Sequence, residues 1–286
     1  MNFTKMQGAG NDFIVVETSD AGRNWAPLAI AMCDRHFGIG GDGLLLAMPS
    51  DTADCRMRIF NADGSEAEAC GNGLRCLVRY IADNGLVDTK ASEIRIETLA
   101  GVRHASLHRD RGEPTVIQVG MGKPEFAPEK IPVRLDSSGR EQLDIIQDYP
   151  VTIDGELLPL SFASMGNPHA VYFSEKPVSD FPLSRLGPKV EHHPMFPSRT
   201  NFEVARIISR SEIEARVWER GVGETLACGT GICAVAVTAR LHGYIDKKVN
   251  IKVSGGTLGV EWDGAGEVFL SGPAEVVFTG EWTSEV

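Results

Sequence analysis

The chain has 286 residues, of which 42% are hydrophobic and 23% charged, and its formal net charge is −11. This composition suits a globular protein of one large or two ordinary domains, and no apolar run is long enough to span a bilayer. The acidic balance argues against nucleic acid as a partner, because phosphate binding requires a basic surface. We expect a small-molecule ligand instead, and no membrane partner.

The N-terminal stretch MNFTKMQGAGNDF lacks the basic start and apolar core of a signal peptide. Six cysteines at irregular spacings are more typical of reduced thiols than of a disulfide framework. We therefore expect a cytoplasmic protein whose cysteines are available either for core packing or for chemistry.

Short β-branched runs bounded by glycine, proline and Asp-Gly turns predict strands in both halves of the chain. In chain order they are FIVVE (13–17), EIRIET (93–98), TVIQVG (115–120), HAVYF (169–173), EVARII (203–208), VNIKV (249–253) and EVFLSG (267–272). Two segments predict helices instead, LRCLVRYIADNG (74–85) and ICAVAVTARLHG (232–243), and each ends on a glycine placed as a C-terminal cap. The second is apolar almost all round, as expected of an enclosed helix.

The chain repeats itself. RIFNADGSEAEACGNG (58–73) and RVWERGVGETLACGTG (216–231) share six of sixteen positions, and GNDF (10–13) corresponds to GNPH (166–169) at nearly the same offset. Such self-similarity indicates a gene duplication that produced two similar domains. The shared positions are Arg58/Arg216, Glu66/Glu224, Ala69/Ala227, Cys70/Cys228, Gly71/Gly229 and Gly73/Gly231.

The predicted fold class is α+β, with two duplicated domains that each wrap a mainly antiparallel β-sheet or barrel around a central helix. The proline-rich stretch GKPEFAPEKIPVR (122–134) marks the join. We place the N-terminal half at 1–124 and the C-terminal half at 125–272, with the terminal strand 273–286 packing back on the first half. The active site is expected in the interdomain cleft.

The repeated ACGxG turn predicts reactive cysteines. A helix that begins directly after Cys70 or Cys228 places the thiol among unpaired backbone N–H groups, which favours the thiolate and lowers its pKa. The glycines allow a ligand to approach the backbone, and the N–H groups form a site for a carboxylate.

Two matched acid/base groups suit the inversion of a stereocentre, since a base must remove a proton from one face and an acid must deliver one to the other. A thiolate and a thiol can fill these roles. The alternatives are a thiol redox switch and a structural metal site, although the Cys70/Cys76 and Cys228/Cys233 spacings lack the Cys-x-x-Cys pattern of zinc sites.

With both turns identified, the chain resembles the diaminopimelate epimerases. The resemblance spans essentially the whole sequence through KMQGAGNDF, GIGGDG, NADGSEAEACGNGLRC, MGNPHAV, RTNFEV and WERGVGETLACGTGICA. It implies interconversion of LL- and meso-2,6-diaminoheptanedioate for lysine and peptidoglycan precursors. It also implies no pyridoxal phosphate, no metal, and a homodimer. A racemase of proline or another small amino acid on the same fold is the alternative function.

The resemblance also implies residue roles. Cys70 and Cys228 would be the catalytic pair, with Cys70 as proton donor and Cys228 as acceptor in one direction. His169 and Glu219 would tune the thiol pKa values. Substrate binding would fall to Asn11, Asn61, Gly71, Asn72, Asn167, Asn201, Glu219, Arg220, Gly229 and Thr230.

One position departs from the family pattern. Many members carry a glutamine that contacts substrate where this chain has Gly43. Glycine has no side chain for that contact, so only backbone or water could replace it.

Overall fold

The structure is a computed structural model that describes residues 1–68, 70–88, 93–110, 113–135 and 144–284. The chain divides into two compact units. Unit 1 comprises Met1–Gly120 and Ser271–Val286, and unit 2 comprises Met121–Leu270.

The elements of the first part of the chain are six strands and two helices, followed by a strand hairpin. They are β1 (Asn2–Gly8), β2 (Asn11–Glu17), α1 (Ala26–Cys33), β3 (Gly43–Met48), β4 (Cys55–Asn61), β5 (Glu66–Ala67), α2 (Gly71–Asp83), β6 (Ile94–Thr98), β7 (Gly101–Asp110) and β8 (Glu113–Gly120).

The second part repeats this order of strands and helices with three additions: an extra first strand, a short 3-10 helix (Val178–Asp180) before its first α-helix, and a terminal strand. Its elements are β9 (Tyr149–Ile153), β10 (Glu156–Ser164), β11 (Pro168–Phe173), α3 (Leu183–Glu191), β12 (Asn201–Ser209), β13 (Glu212–Glu219), β14 (Gly223–Thr225), α4 (Gly229–Leu241), β15 (Lys248–Val253), β16 (Gly256–Glu261), β17 (Phe269–Gly272) and the terminal β18 (Glu275–Glu281).

In unit 1 the strands form a mostly antiparallel sheet around α2. Strand β1 pairs with β18 and β2, β3 with β4, β6 with β7, and β7 with β8, all antiparallel, whereas β2–β3 and β4–β6 are parallel. Helix α2 packs against β1, β2, β3, β4, β7 and β8. The sheet therefore encloses the helix.

Unit 2 has the same arrangement around α4. Antiparallel pairs join β9–β10, β10–β11, β12–β13, β13–β14 and β15–β16, and parallel pairs join β11–β12 and β13–β15. Helix α4 packs against β10, β11, β12 and β16. The predicted α+β class, the strands and both helices are confirmed.

The strand register shows the duplication residue by residue. In unit 1 Val15 pairs with Leu45, and Leu45 with Ile59. In unit 2 Val171 pairs with Glu203, and Glu203 with Val217. Since these sets differ by the offsets of the sequence repeat, Glu203 occupies in unit 2 the place of Leu45 in unit 1.

The identical Arg and Glu of the repeat have a structural cause. Arg58 Nε and Nη2 donate to the two carboxylate oxygens of Glu66 at 2.7 and 3.0 Å. Arg216 makes the same bidentate contact with Glu224 at 2.8 and 3.0 Å. Each pair ties the short strand that precedes the cysteine turn to its neighbour, and so helps to position that turn.

Both central helices end at a glycine in the left-handed region, Gly85 with φ 68° and Gly243 with φ 74°. This conformation is favourable for glycine and stops a helix by turning the chain away. Within the described ranges, no helix combines the length and the apolar character that crossing a membrane requires.

Candidate active site: two helices capped by cysteine

Cys70 is the N-cap residue of α2. Its backbone is extended (φ −145°, ψ 120°), and its Sγ accepts a hydrogen bond from the N–H of Gly73 at 3.4 Å. A side-chain acceptor at this position satisfies one of the unpaired N–H groups of the first turn. The thiol therefore lies at the positive end of the helix dipole. The preceding Ala69 is outside the described residues.

Cys228 caps α4 in the same way. Its backbone is extended (φ −119°, ψ 116°), and its Sγ accepts from the N–H of Gly231, also at 3.4 Å. Gly71 and Gly229 are the first residues of their helices, and both are buried. Because neither carries a side chain, the backbone N–H groups at each helix start are open to an anionic ligand.

In unit 1, Asn11 joins the Cys70 helix start to a charged network. Its Nδ2 donates to Asp42 at 2.5 Å, while its Oδ1 accepts from Asn72 Nδ2 at 3.3 Å. The same Oδ1 lies 3.9 Å from Cys70 Sγ, which donates to it. Three residues predicted for one site, Asn11, Cys70 and Asn72, are thus in direct contact.

Asn61, the last residue of β4, is not part of this cluster. It is exposed, and its Nδ2 donates to Ser65 Oγ at 2.9 Å in the turn that follows. Its side chain is available at the surface of unit 1.

In unit 2, the thiol of Cys228 contacts two predicted residues. It hydrogen-bonds to the Glu219 carboxyl, and its Sγ lies 3.4 Å from Thr230 Oγ1. Glu219 also accepts from Thr225 Oγ1 at 2.5 Å. Asn167 reaches the same point, since its Nδ2 donates to Thr230 Oγ1 at 3.3 Å.

The expectation that the helix start lowers the thiol pKa is wrong for Cys228. Burial raises the pKa of this thiol well above its ordinary value, and the nearby Glu219 carboxylate raises it further. The donors at Thr230 and Gly231 act in the opposite direction but do not outweigh burial. Burial likewise raises the pKa of Glu219. Burial thus disfavours the charged forms of both side chains.

His169 is fully buried on β11 and contacts two side chains. Its Nδ1 lies 2.8 Å from Glu203 Oε1, and its Nε2 lies 2.9 Å from Asn167 Oδ1. Asn167 thus connects His169 to Thr230 at the Cys228 helix start, and Glu203 lies beside Gly231 in the same turn.

The side chain of Asn201 is hydrogen-bonded to the backbone of Arg220, which lies in the turn that follows β13. Asn201 is buried, its Nδ2 donates to Pro168 O at 2.8 Å, and its Oδ1 accepts from the Arg220 N–H at 2.9 Å. Both the nitrogen and the oxygen of the Asn201 amide therefore make hydrogen bonds within the protein. The Arg220 guanidinium is half-buried and donates to Ser198 O at 3.0 Å.

Gly43 occupies in unit 1 the register position of Asn201, because Phe13 pairs with Gly43 as His169 pairs with Asn201. A Cβ on Gly43 would lie 2.8 Å from the Phe60 carbonyl oxygen. Any side chain here would force the backbone apart, which accounts for glycine at this position.

Sequence reasoning missed three buried charged residues. Glu203 contacts His169. Arg75 is fully buried and donates through Nη2 to Asn72 Oδ1 at 2.9 Å. Glu191 accepts from the Gly221 N–H at 2.9 Å and so supports the Arg220 turn. The available signal for Glu203 and Arg75 is a charge within a largely apolar run, NFEVARII and LRCLVRY, whereas no such run surrounds Glu191.

Among the described residues, no group of three or more His, Cys, Asp or Glu side chains is arranged to hold a metal ion. The six cysteines, all within the described ranges, are thiols. Burial raises the pKa of Cys33 and Cys55 to about 11 and that of Cys76 to about 12. These three thiols are therefore inert core residues.

Comparison with solved structures shows the fold. A probable proline racemase from Agrobacterium radiobacter has a TM-score of 0.71 at 14% identity, covering 99% of this chain and 93% of the other. A phenazine biosynthesis protein of the PhzF family from Bacillus anthracis has a TM-score of 0.68 at 17% identity, covering 99% of each chain. At such identities the likeness extends to architecture alone.

Sequence comparison is more specific. The family model for diaminopimelate epimerase matches residues 3–127 and 161–277. The diaminopimelate epimerase of Acetivibrio thermocellus is 48% identical over 283 residues, 98% of each chain. That of Desulfovibrio desulfuricans is 48% identical over 285 residues, 99% of this chain and 98% of the relative. The chain belongs to the diaminopimelate epimerase family and is an isomerase.

Proposed function

We propose that this epimerase interconverts LL- and meso-2,6-diaminoheptanedioate in the biosynthesis of lysine and peptidoglycan precursors. The observation that carries the proposal is the duplicated helix start, in which Cys70 and Cys228 each cap a buried helix through Sγ. The family model and the relatives named above supply the substrate.

The reaction needs one group to take the α-proton and another to return a proton to the opposite face. Cys70 and Cys228 fill these roles, with Cys70 as donor and Cys228 as acceptor in one direction. Two thiols suffice for this exchange, so no pyridoxal phosphate or metal is required. The N–H groups at Gly71, Asn72, Gly229 and Thr230 bind the α-carboxylate.

The remaining predicted residues bind the rest of the substrate, which carries a second carboxylate and a second ammonium. Arg220 offers a guanidinium fork to the carboxylate, and Glu219 offers a carboxylate to the ammonium. Asn11, Asn61 and Asn167 add amide contacts. Asn201 acts by holding the Arg220 backbone, as its hydrogen bond indicates.

His169 and Glu219 adjust the protonation of the thiols. Support for this role comes from the direct contact of Glu219 with Cys228 and the indirect one of His169 through Asn167. Glu219 is also a neighbour whose charge disfavours the thiolate, so proton removal at Cys228 and the charge of Glu219 are coupled.

The protein acts in the cytoplasm as a homodimer. The reduced cysteines suit a reducing compartment. Terminal strand β18 exposes three consecutive apolar side chains, Val276, Val277 and Phe278, a surface that a second copy could cover. Light scattering of the purified protein, compared with Val277→Asp, tests the assembly; a monomeric wild type would overturn it.

The decisive experiment incubates the protein with LL-diaminopimelate in deuterated water without added cofactor. We expect the meso isomer to appear with deuterium at one α-carbon. Proline serves as the comparison substrate. Turnover of proline instead of diaminopimelate would assign the protein to a different racemase activity, and no exchange on either would reject the proposal.

A further inference from the structure

Glu203 is a fully buried carboxylate that the sequence repeat does not share. It lies on β12 with no exposed surface, and its Oε1 is 2.8 Å from His169 Nδ1. Its Oε2 has no hydrogen-bond partner within the described part of the chain. A buried carboxyl oxygen without a hydrogen-bond partner lowers the stability of the fold, so we look for a role of Glu203 beyond packing.

The contacts of His169 determine where its protons are. Asn167 Nδ2 donates to Thr230 Oγ1 at 3.3 Å, so its Oδ1 is the atom that faces His169 Nε2 at 2.9 Å. An amide oxygen only accepts, and Nε2 must therefore carry a hydrogen. The partner of Nδ1 is a carboxyl oxygen of Glu203.

Two arrangements satisfy this geometry. Either His169 is protonated on both nitrogens and Glu203 is ionised, or His169 carries its proton on Nε2 and Glu203 is a carboxylic acid that donates to Nδ1. The pair is neutral overall in both cases, as its full burial favours. Burial also raises the pKa of Glu203, in keeping with a retained proton.

The direction of these hydrogen bonds also determines how Thr230 contacts the sulfur of Cys228. Thr230 Oγ1 already accepts from Asn167, so its own hydrogen is left for Cys228 Sγ at 3.4 Å. In the reverse direction, Asn167 would donate to a bare Nε2 and accept from Thr230, and the hydroxyl hydrogen would be turned away from the sulfur. The His169 proton therefore decides whether Cys228 receives a second donor, the Thr230 hydroxyl, besides the N–H of Gly231.

The equivalent positions of unit 1 do not form this series of hydrogen bonds. The places of His169 and Glu203 are taken by Phe13 and Leu45, both apolar and buried. The repeated asparagine there is turned the other way, because Asn11 gives its Nδ2 to Asp42 and its Oδ1 accepts from Asn72. The chain of contacts at Cys228 is thus not a by-product of the duplicated fold.

We propose that Glu203 is a positioning residue for Cys228: through His169, Asn167 and Thr230 it directs a hydroxyl donor at the sulfur when Cys228 accepts the proton. The inference rests on the proposed function for its catalytic meaning. The directed donor opposes three effects that raise the pKa of Cys228: burial, the charge of Glu219 on β13 and the charge of Glu203 itself. Among the described residues, His169 on β11 and Glu203 on β12 also lie at this helix start.

The first test uses the ligand-free wild-type protein labelled with nitrogen-15 in histidine. We expect the NMR signals of His169 to show a proton on Nε2 across neutral pH. An unprotonated Nε2 would overturn the proposal. This measurement needs neither a variant nor activity, so it is independent of whether diaminopimelate is the substrate.

The second test titrates Cys228 in a Cys70→Ala background, following the ultraviolet thiolate absorbance that is lost in Cys70→Ala/Cys228→Ala. Glu203→Leu should raise the titration midpoint by about one pH unit, the order of one hydrogen bond to a charged group. Leucine is the residue that unit 1 accommodates at this place. Thr230→Val should raise the midpoint equally, and the double variant no further, because both changes remove one donor.

The sign of the shift separates this role from a simple charge effect. If Glu203 acted only as a nearby negative charge, its removal would lower the midpoint. A lowered or unchanged midpoint, or additive effects of Glu203→Leu and Thr230→Val, would contradict the proposal. Glu191→Gln is the matched control: it alters another buried carboxylate of unit 2 that supports Gly221, and should leave the midpoint unchanged.

Discussion

Glu203 lies against Gly231 in the first turn of α4, so closely that a Cβ on that glycine would be 2.7 Å from the carboxylate Oε1. At the equivalent place in unit 1, a Cβ on Gly73 would be 3.2 Å from Leu45 Cδ2, the end of a flexible side chain. The same glycine of the repeat thus meets a fixed, hydrogen-bonded acid in one unit and a movable methyl group in the other.

Gly231→Ala and Gly73→Ala are therefore expected to differ. Gly231→Ala should lower the free energy of unfolding by about 1–3 kcal/mol, because Glu203 must move away from His169. Gly73→Ala should be close to neutral, since the better helix propensity of alanine, up to ~1 kcal/mol, offsets a small shift of Leu45. Urea unfolding measures both; equal losses would contradict the asymmetry.

Replacement of either capping cysteine by alanine should abolish epimerisation. Each change removes one acid/base group, and such groups contribute about 10²- to 10⁴-fold to rate. The matched controls are Cys76→Ala and Cys233→Ala, which alter fully buried thiols in the same two helices. They should lose about 1 kcal/mol of stability and keep most activity. Near wild-type turnover by Cys70→Ala or Cys228→Ala would exclude the two-thiol mechanism.

Arg220→Ala should raise KM for diaminopimelate by about 10- to 100-fold with a smaller effect on kcat, because a charge-assisted contact to the distal carboxylate is lost. Arg206→Ala, which removes a partly exposed ion pair with Glu214, is the control and should change neither constant appreciably. Initial rates over a range of substrate concentration give both values. An unchanged KM would place the distal carboxylate elsewhere.

The lowered pKa of Asp12 predicts how the stability of the protein depends on pH. Burial raises its pKa, but hydrogen bonds from Arg35 and Lys5 outweigh burial and lower it from 3.8 to about 2. A depressed carboxyl pKa stabilises the fold above the unfolded value of 3.8, and this contribution is lost as pH falls through about 2.

The melting temperature of Asp12→Asn should therefore fall below that of the wild type near neutral pH, and the difference should shrink as the pH approaches about 2. Thermal unfolding followed by circular dichroism at a series of pH values provides the measurement. A difference that stays constant with pH would show that the ion pairs do not account for the effect.

Much of the fold could be predicted from the sequence because the signals are local. The glycines that end α2 and α4 and the cysteines that begin them lie within one turn of the residues they affect. The repeat predicted two similar domains, and in the structure its shared arginine and glutamate form the same ion pair in each unit, Arg58–Glu66 and Arg216–Glu224. Family membership followed from motifs spread over the whole chain.

The electrostatics of the site could not be predicted in this way. A cysteine at a helix start indicates a lowered pKa, yet the pKa of Cys228 is raised, because enclosure by the sheet and the approach of Glu219 depend on residues distant in sequence. Likewise, the repeat presents Asn11 and Asn167 as equivalents. Asp42 in one unit and His169 in the other turn their amides in opposite directions.

The sequence by itself determined the duplicated fold, the two capping cysteines and the family, since short-range spacing and repetition encode them. Only the tertiary structure decided that Glu203 and His169 form a buried pair beside one helix start while Leu45 and Phe13 fill the other. Hydrogen-bond direction and desolvation depend on which side chains the strands bring together, and those partners lie on separate strands of the sheet.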